Sequence, residues 1–431
     1  MNMQKKDQPM NVNDPTPVRT KPWAPVFLSS EEFGEEERES LMNVLEKKRV
    51  FRFYKPDVAN SEARKLERLY RERLDVEHCL VMNSGTSALV SALIAAGVGP
   101  GDEVIIPAYT YIATASAVLI ARAVPVIVEV DESLTMDPKA ISAAITPYTK
   151  AVIPVHMKGV PCRMDEIMEI AEEHGLVVIE DVAQANGGSY NGKPLGTFGL
   201  AGCFSFQQFK LITSGEGGMM VTNDRKLYKR ASIYHDSALA FWGTEEENID
   251  VPSFPGENYR MSEINAALGL AQSRRIDQLV TKLRQVKKTI VDGIRDLPEL
   301  QLQTIPDPEG DVSYVLIFYL KDQETARSFS DQLRLEGIPN GTIFNNGIAD
   351  RHLYVNWEYV LEKRGISDKD NPWQSPLYKG NVQYDKEMCP RTLDLFKRAI
   401  LINLHQQLTL EDCDDAIRAI RKVARAHRDD T

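Results

Sequence analysis

Between residues 102 and 181 the chain keeps returning to one device, a short run rich in Val and Ile with little polar alternation. "DEVIIP" (102–107), "AVPVIVEV" (123–130), "AVIPVH" (151–156) and "LVVIED" (176–181) are such runs, and helix-like stretches such as "DEIMEIAEEHG" (165–175) separate them. A strand exposed on one face alternates apolar and polar residues; these do not, so both faces are expected to be covered. The expected fold class is therefore α/β, a mixed but mostly parallel sheet flanked by helices.

Other stretches extend the pattern. "EEFGEEERESLMNVLEKK" reads as an amphipathic helix with acidic residues in its first turns, and "NSGTSALVSALIAAGVG" as a turn opening a buried helix closed by Gly97. "MSEINAALGLAQSRRIDQLVTKLRQVKKTIVDGI" (261–294) predicts one long helix leading out of the sheet region. Beyond it, "VSYVLIFYL" predicts a strand, and "TARSFSDQLRLEG" and "LTLEDCDDAIRAIRKVARAH" predict helices. The division expected is a polar, Pro-rich mobile arm over 1–26, held only where Trp23 docks, a large domain over 27–275 and a smaller α+β domain over 276–431. A stretch at 345–388, rich in Trp, Tyr and Asn, has weak periodicity; it reads equally as a pocket wall or a surface insertion.

Composition removes several functions. A formal net charge of −11 argues against a nucleic-acid surface. No apolar run approaches the length of a membrane helix, and the N-terminus has no apolar core of a secretory signal. Five scattered cysteines (79, 162, 203, 389, 413) without CxxC spacing fit reduced thiols of a cytoplasmic protein, and neither His nor Cys spacing suggests a metal.

Four segments carry chemistry. In "VVIEDVAQANGG" (177–188), Glu180 and Asp181 emerge at a strand's C-terminal end, where ligands bind in open α/β sheets. Asp181 is either a cap or loop acid or the partner of a cationic ring nitrogen. In "CFSFQQFKLITSGEGGMMVTN" (203–223), Lys210 follows Ser205 by five residues and precedes a glycine cluster. It is either a solvated cation or an amine confined for attack on a carbonyl. "NSGTSAL" (83–89) is either an ordinary N-cap or an anion site at a helix N-terminus. "IIPAYTYIATASAV" presents Tyr109 and Tyr111 where a strand ends, either for the core or to stack on a flat ring. Together they supply an anion cradle, an aromatic face, a carboxylate and a lysine, the contacts a pyridoxal 5′-phosphate site needs.

With "NSGTSAL", "GPGDEVIIPAYTYIATASAV", "PVHMKGVPCRMD", "VIEDVAQANGG", "FSFQQFKLITSGEGGMMVTND", "GENYRMSEINAALGLAQ" and "LHQQLT" in order, the chain resembles the DegT/DnrJ/StrS sugar aminotransferases, fold-type I pyridoxal-phosphate enzymes. The resemblance runs from Phe27 to the C-terminus. It implies that Lys210 carries the cofactor as a Schiff base and shuttles protons, Asp181 pairs with the pyridinium nitrogen, Gln184 lies near the phenolic oxygen and Tyr111 stacks on the ring. Gly85, Thr86 and Ser205 would contact the phosphate, with Asn258 reaching it from the neighbouring subunit of a homodimer. Arg260, His156 and His405 stand as substrate candidates. The implied reaction is ping-pong transamination from glutamate or glutamine to a keto-sugar or keto-cyclitol in amino-sugar biosynthesis.

Phe209 departs from the pattern, since many relatives carry a small residue before the lysine. Two further functions stay open: sugar dehydration on the same cofactor, which the presence of Lys210 disfavours, and a non-catalytic, cofactor-binding regulator. A nicotinamide enzyme does not fit, because the "GVGPGDE" glycines precede a strand instead of joining strand to helix.

Overall fold

The computed structural model describes residues 16–24, 29–53, 58–238, 250–342 and 349–429. Most of the expected arm (1–15 and 25–26) and positions 345–348 of the aromatic stretch lie outside the described residues. The four Val/Ile runs form parallel strands β2 to β5. In chain order the strands are β1 (His78–Met82), β2 (Glu103–Pro107), β3 (Val124–Val128), β4 (Thr149–Val152), β5 (Val177–Asp181), a small ribbon of β6 (Ser189–Tyr190) and β7 (Lys193–Pro194), β8 (Ala201–Ser205) and β9 (Gly218–Thr222). Seven of them make one sheet ordered β1-β9-β8-β5-β4-β2-β3. Strands β8, β5, β4, β2 and β3 are parallel, and β9 runs antiparallel to both of its neighbours. Val104, Ile105 and Ile106 are fully buried, which is why that stretch carries no alternation.

"AVIPVH" pairs as a strand for only part of its length. Pairing stops at Val152, since Pro154 has no N–H to donate. Its carbonyl instead accepts the Asp181 N–H at 2.9 Å, and Val155 bridges to Asp181. The loop that follows is thereby held against the end of β5.

The long helix expected over 261–294 is two helices, Glu263–Ser273 and Ile276–Ile294. Arg275 interrupts it: its N–H bonds Gln272 O, three residues back, and its guanidinium reaches Glu32 O at 2.5 Å and Glu37 at 2.7 Å. These partners lie off the helix axis, and the bend seats Ile276 against Gly187. A second sheet follows, β10 (Gln301–Leu302), β11 (Val315–Tyr319) and β12 (Ala399–Asn403), antiparallel throughout. Helices Gln323–Leu335 and Leu410–Asp429 share a core with it through Phe318, Phe329, Ile400 and Ile420. The N-terminal residues dock here: Trp23 Nε1 donates to Asn403 O at 3.1 Å, and Arg19 pairs with Asp412 and Asp415.

The aromatic stretch divides between two ends of the large sheet. Residues 350–354 run beside 108–112, with Thr110 N–H to His352 O (2.9 Å), Ile112 N–H to Arg351 O (3.1 Å) and Tyr354 N–H to Ala108 O (3.0 Å). Trp357, fully buried, fastens this strap by donating Nε1–H to Arg351 O at 2.9 Å. The later part covers the opposite strand ends: Tyr378 donates to Glu103 at 2.7 Å and Tyr384 to Pro125 O at 2.5 Å.

Candidate active site

Lys210 lies in the loop joining β8 to β9. Its N–H closes a tight turn on Gln207 O at 2.9 Å, and its own carbonyl accepts the Ser29 hydroxyl at 3.0 Å. Both main-chain groups are thus fixed, and the side chain is half-buried. Burial pushes the amine below the usual lysine range; the nearby Asp181 opposes this and the nearby Lys158 adds to it. An amine so placed gives up its ammonium proton more readily than a solvated one.

Asp181 ends β5, the strand paired with β8 from which that loop starts, and it is 5% exposed. Its Oδ1 accepts the Ala183 N–H at 3.1 Å and its Oδ2 the Thr114 hydroxyl at 2.9 Å. Burial raises its proton affinity, while those two donors, Lys210 and His156 pull it back. A third, cationic partner would complete the set.

The cradle at the other end forms where helix Gly85–Ala95 begins. Ser84 caps it, accepting the Ser87 N–H at 3.0 Å. The Gly85 and Thr86 N–H groups have no acceptor among the described residues and stand at the positive end of an eleven-residue helix. A Cβ on Gly85 would come within 2.9 Å of Ser205 Cβ, so the glycine brings the helix start against the end of β8. Gly85, Thr86 and Ser205 therefore meet. The strip around Asn258 and Arg260 runs alongside, with Asn83 N–H on Tyr259 O at 2.8 Å and a bridge from Met82 to Arg260. Asn258 is exposed, and Arg260 pairs with Asp236.

Gln184 sits beyond the end of β5, half-buried. Its Oε1 accepts the Lys158 N–H and the Tyr314 hydroxyl, each at 3.2 Å, and its Nε2 has no partner among the described residues. Tyr111 is 48% exposed, with its ring 5.2 Å from that of His352. Phe209 is 58% exposed.

The two histidines expected as substrate candidates are inside the protein. His156 is fully buried; its Nδ1 accepts the Cys162 N–H at 3.0 Å, so Nε2 bears the proton and donates to Glu180 at 3.2 Å. Glu180 also accepts three backbone N–H groups, from Gly196, Phe198 and Gly199, and so pins the loop before β8. His405 is buried too, its Nδ1 accepting the Gln407 N–H at 3.1 Å.

Sequence reasoning passed over several neighbours. Thr114 holds Asp181, and Tyr314 holds Gln184. Lys158, in a left-handed conformation (φ 56°), lies close enough to Lys210, Asp350 and His352 to act on their protons. On the strap, Asp350 accepts both the N–H (2.9 Å) and the ring Nδ1–H (2.7 Å) of His352. Burial keeps His352 below the usual histidine range despite Asp350, leaving the ring neutral at neutral pH. The charge of Lys158 within the otherwise apolar "PVHMKGVP" was the one visible signal.

Taken together, the donor set suits a flat heterocycle with an anion at one end and a basic ring nitrogen at the other. Free helix-start N–H groups and Ser205 meet the first, a buried carboxylate the second, and a depressed lysine amine lies in reach of the carboxylate's field.

A family model described as the DegT/DnrJ/EryC1/StrS aminotransferase family matches residues 31–369. The GDP-perosamine synthase of Caulobacter vibrioides is 43% identical over 219 residues, 49% of this chain and 56% of that protein. The L-glutamine:2-deoxy-scyllo-inosose aminotransferase of Streptomyces kanamyceticus is 35% identical over 322 residues, 73% of this chain and 74% of the relative. Among solved structures, S. venezuelae DesV in complex with a ketimine intermediate is similar at 27% identity and TM-score 0.75, covering 94% of this chain and 99% of that one.

Proposed function

The chain belongs to the DegT/DnrJ/EryC1/StrS aminotransferase family, and from that premise we propose that it moves an amino group from glutamine or glutamate to a keto-sugar or keto-cyclitol, using pyridoxal 5′-phosphate. The observation that carries this reading is a buried carboxylate, Asp181, close enough to act electrostatically on a lysine amine, Lys210, whose proton affinity burial has lowered. The names of the perosamine and scyllo-inosose relatives support the acceptor class, and the second supports glutamine as donor.

When bound, the cofactor supplies an aldehyde to receive the amino group and a protonated ring to accept an electron pair. The chain's own residues do the rest. Gly85 and Thr86 N–H groups and the Ser205 hydroxyl hold the phosphate, and Asn258, contributed by the partner of a homodimer, adds to them. Asp181, once it met the cationic ring nitrogen, would be held ionised and would keep that nitrogen protonated, and Tyr111 would lie against the ring. Lys210 Nζ would hold the cofactor covalently, and as a free amine it would carry the proton between the substrate's α-carbon and the cofactor's C4′. His352 and Lys158 lie near Lys210 and would border a bound acceptor.

The test is spectroscopic. Purified protein reconstituted with pyridoxal phosphate should be yellow, and glutamine or glutamate alone should bleach the visible band. Lys210→Ala should abolish the covalent attachment and turnover together. A chain that takes up no cofactor defeats the proposal; a spectrum that responds only to a sugar substrate replaces transamination with dehydration.

A further inference from the structure

A carboxamide has two unlike ends, and which one faces a ligand decides what it can do. For Gln184 the neighbours settle this. The Lys158 backbone N–H, 3.2 Å away, can only donate, so the atom it meets is Oε1. The Tyr314 hydroxyl lies 3.2 Å from the same oxygen and donates as well. Burial pushes the Tyr314 phenol far above the usual tyrosine range, so it stays protonated at any working pH. With Oε1 doubly engaged, the amide presents Nε2–H2 outward, where no described residue accepts it.

The tyrosine is itself held from two sides. Val312 N–H bonds Gly159 O at 3.0 Å, stitching the approach to β11 onto the loop that follows Lys158. Gly159 (φ 85°) lies so flat on the Tyr314 ring that a Cβ there would meet the ring at 3.0 Å. On the other side, Leu404 N–H bonds Tyr314 O at 2.8 Å, tying the residue to the end of β12.

We propose that Tyr314 is a positioning residue for the cofactor, acting through Gln184: it fixes the amide so that Nε2 donates to the phenolic oxygen of bound pyridoxal phosphate. This rests on the cofactor assignment above. A donor held at that oxygen favours its ionised form, so the effect reaches the protonation of the bound cofactor without Tyr314 touching it.

Tyr314→Phe keeps the ring packing and removes the donor. It should leave the melting temperature close to wild type, weaken pyridoxal phosphate roughly two- to tenfold, and move the pH midpoint of the visible band upward. Gln184→Ala should do the same, and the double variant should be no worse than Gln184→Ala alone, because the two act in series. Equal losses from Tyr314→Phe with and without Gln184 would show a merely structural role and overturn the proposal, as would an unmoved pH midpoint in the single variant. Because the comparison is made in both backgrounds, it holds even where Tyr314→Phe lowers stability. Failure of the wild-type chain to bind the cofactor would instead sink the cofactor assignment.

Discussion

Thr114 donates its hydroxyl to Asp181 Oδ2 at 2.9 Å, and nothing else among the described residues serves that oxygen. The pair links the helix after β2 to the end of β5, and it decides how firmly a buried carboxylate stays ionised. Thr114→Val keeps the shape and removes the donor, so proton affinity at Asp181 should rise and pyridoxal phosphate should bind about tenfold more weakly, as for loss of a bond to a charged group. Titration of the apoprotein with the cofactor checks it.

Asp181 also gives a pH dependence to the apoprotein. Its proton affinity is raised in the fold, so the stability it contributes is present below the unfolded carboxylate range and is lost as pH rises through the raised value. Asp181→Asn carries no such loss. Its apoprotein should therefore gain on wild type in melting temperature as pH rises above the unfolded carboxylate range. Cofactor binding should reverse the order, since only the wild type meets the ring nitrogen with a charge.

Lys158 adds its like charge to the burial that depresses Lys210. Lys158→Met retains the backbone N–H on Gln184 but removes that charge, so the Lys210 amine should hold its proton to higher pH. Because attachment needs the neutral amine, the pH profile of cofactor incorporation should move to more alkaline values, and Lys158→Arg should leave it in place. Stopped-flow mixing of apoprotein with pyridoxal phosphate across pH reads the shift.

At Gly85 there is no room for a methyl group. Gly85→Ala would set its Cβ 2.9 Å from Ser205 Cβ and 3.3 Å from Phe204 O. Overpacking of this kind costs about 1–3 kcal/mol, and here it forces apart the helix start and the end of β8. Urea unfolding should give the stability loss, and cofactor affinity should fall with it.

Trp357 is the anchor of the strap. Its replacement by alanine should cost about 3–5 kcal/mol, as removal of a fully buried large aromatic does. It also removes one of the two donors on the Arg351 carbonyl, leaving only the Ile112 N–H. Limited proteolysis of the variant should cut first within 349–357.

Strands β2, β3 and β5 were legible because their apolar residues do not alternate with polar ones, which leaves a mark within five consecutive residues, and β4 (Thr149–Val152) was legible only through its last two residues. Lys210, Asp181 and the Ser84–Gly85 turn stood out as candidates for a related reason: each lies at a strand end or a few residues beyond one. The break at Arg275 left no such mark, because two arginines are good helix formers and the off-axis carboxylate of Glu37 is distant in sequence. The strap was equally hidden. Its partners at 108–112 lie some 240 positions upstream (352 − 110 = 242), and main-chain bonds of that kind do not depend on which side chains are present. The roles of Tyr314 and Lys158 toward Gln184 come from the same sort of distant meeting.

That independence has an outcome for how such a protein can diversify. The strap is sewn to the sheet by its peptide groups and by one tryptophan, while its histidine lies beside Tyr111 and its aspartate holds that histidine. Rewriting those two letters leaves the stitching intact, and the lysine, the carboxylate and the anion-binding turn all ride on other segments. The molecule is thus organised like a lathe with an exchangeable chuck: a new workpiece calls for a new grip, and the motor stays as it is.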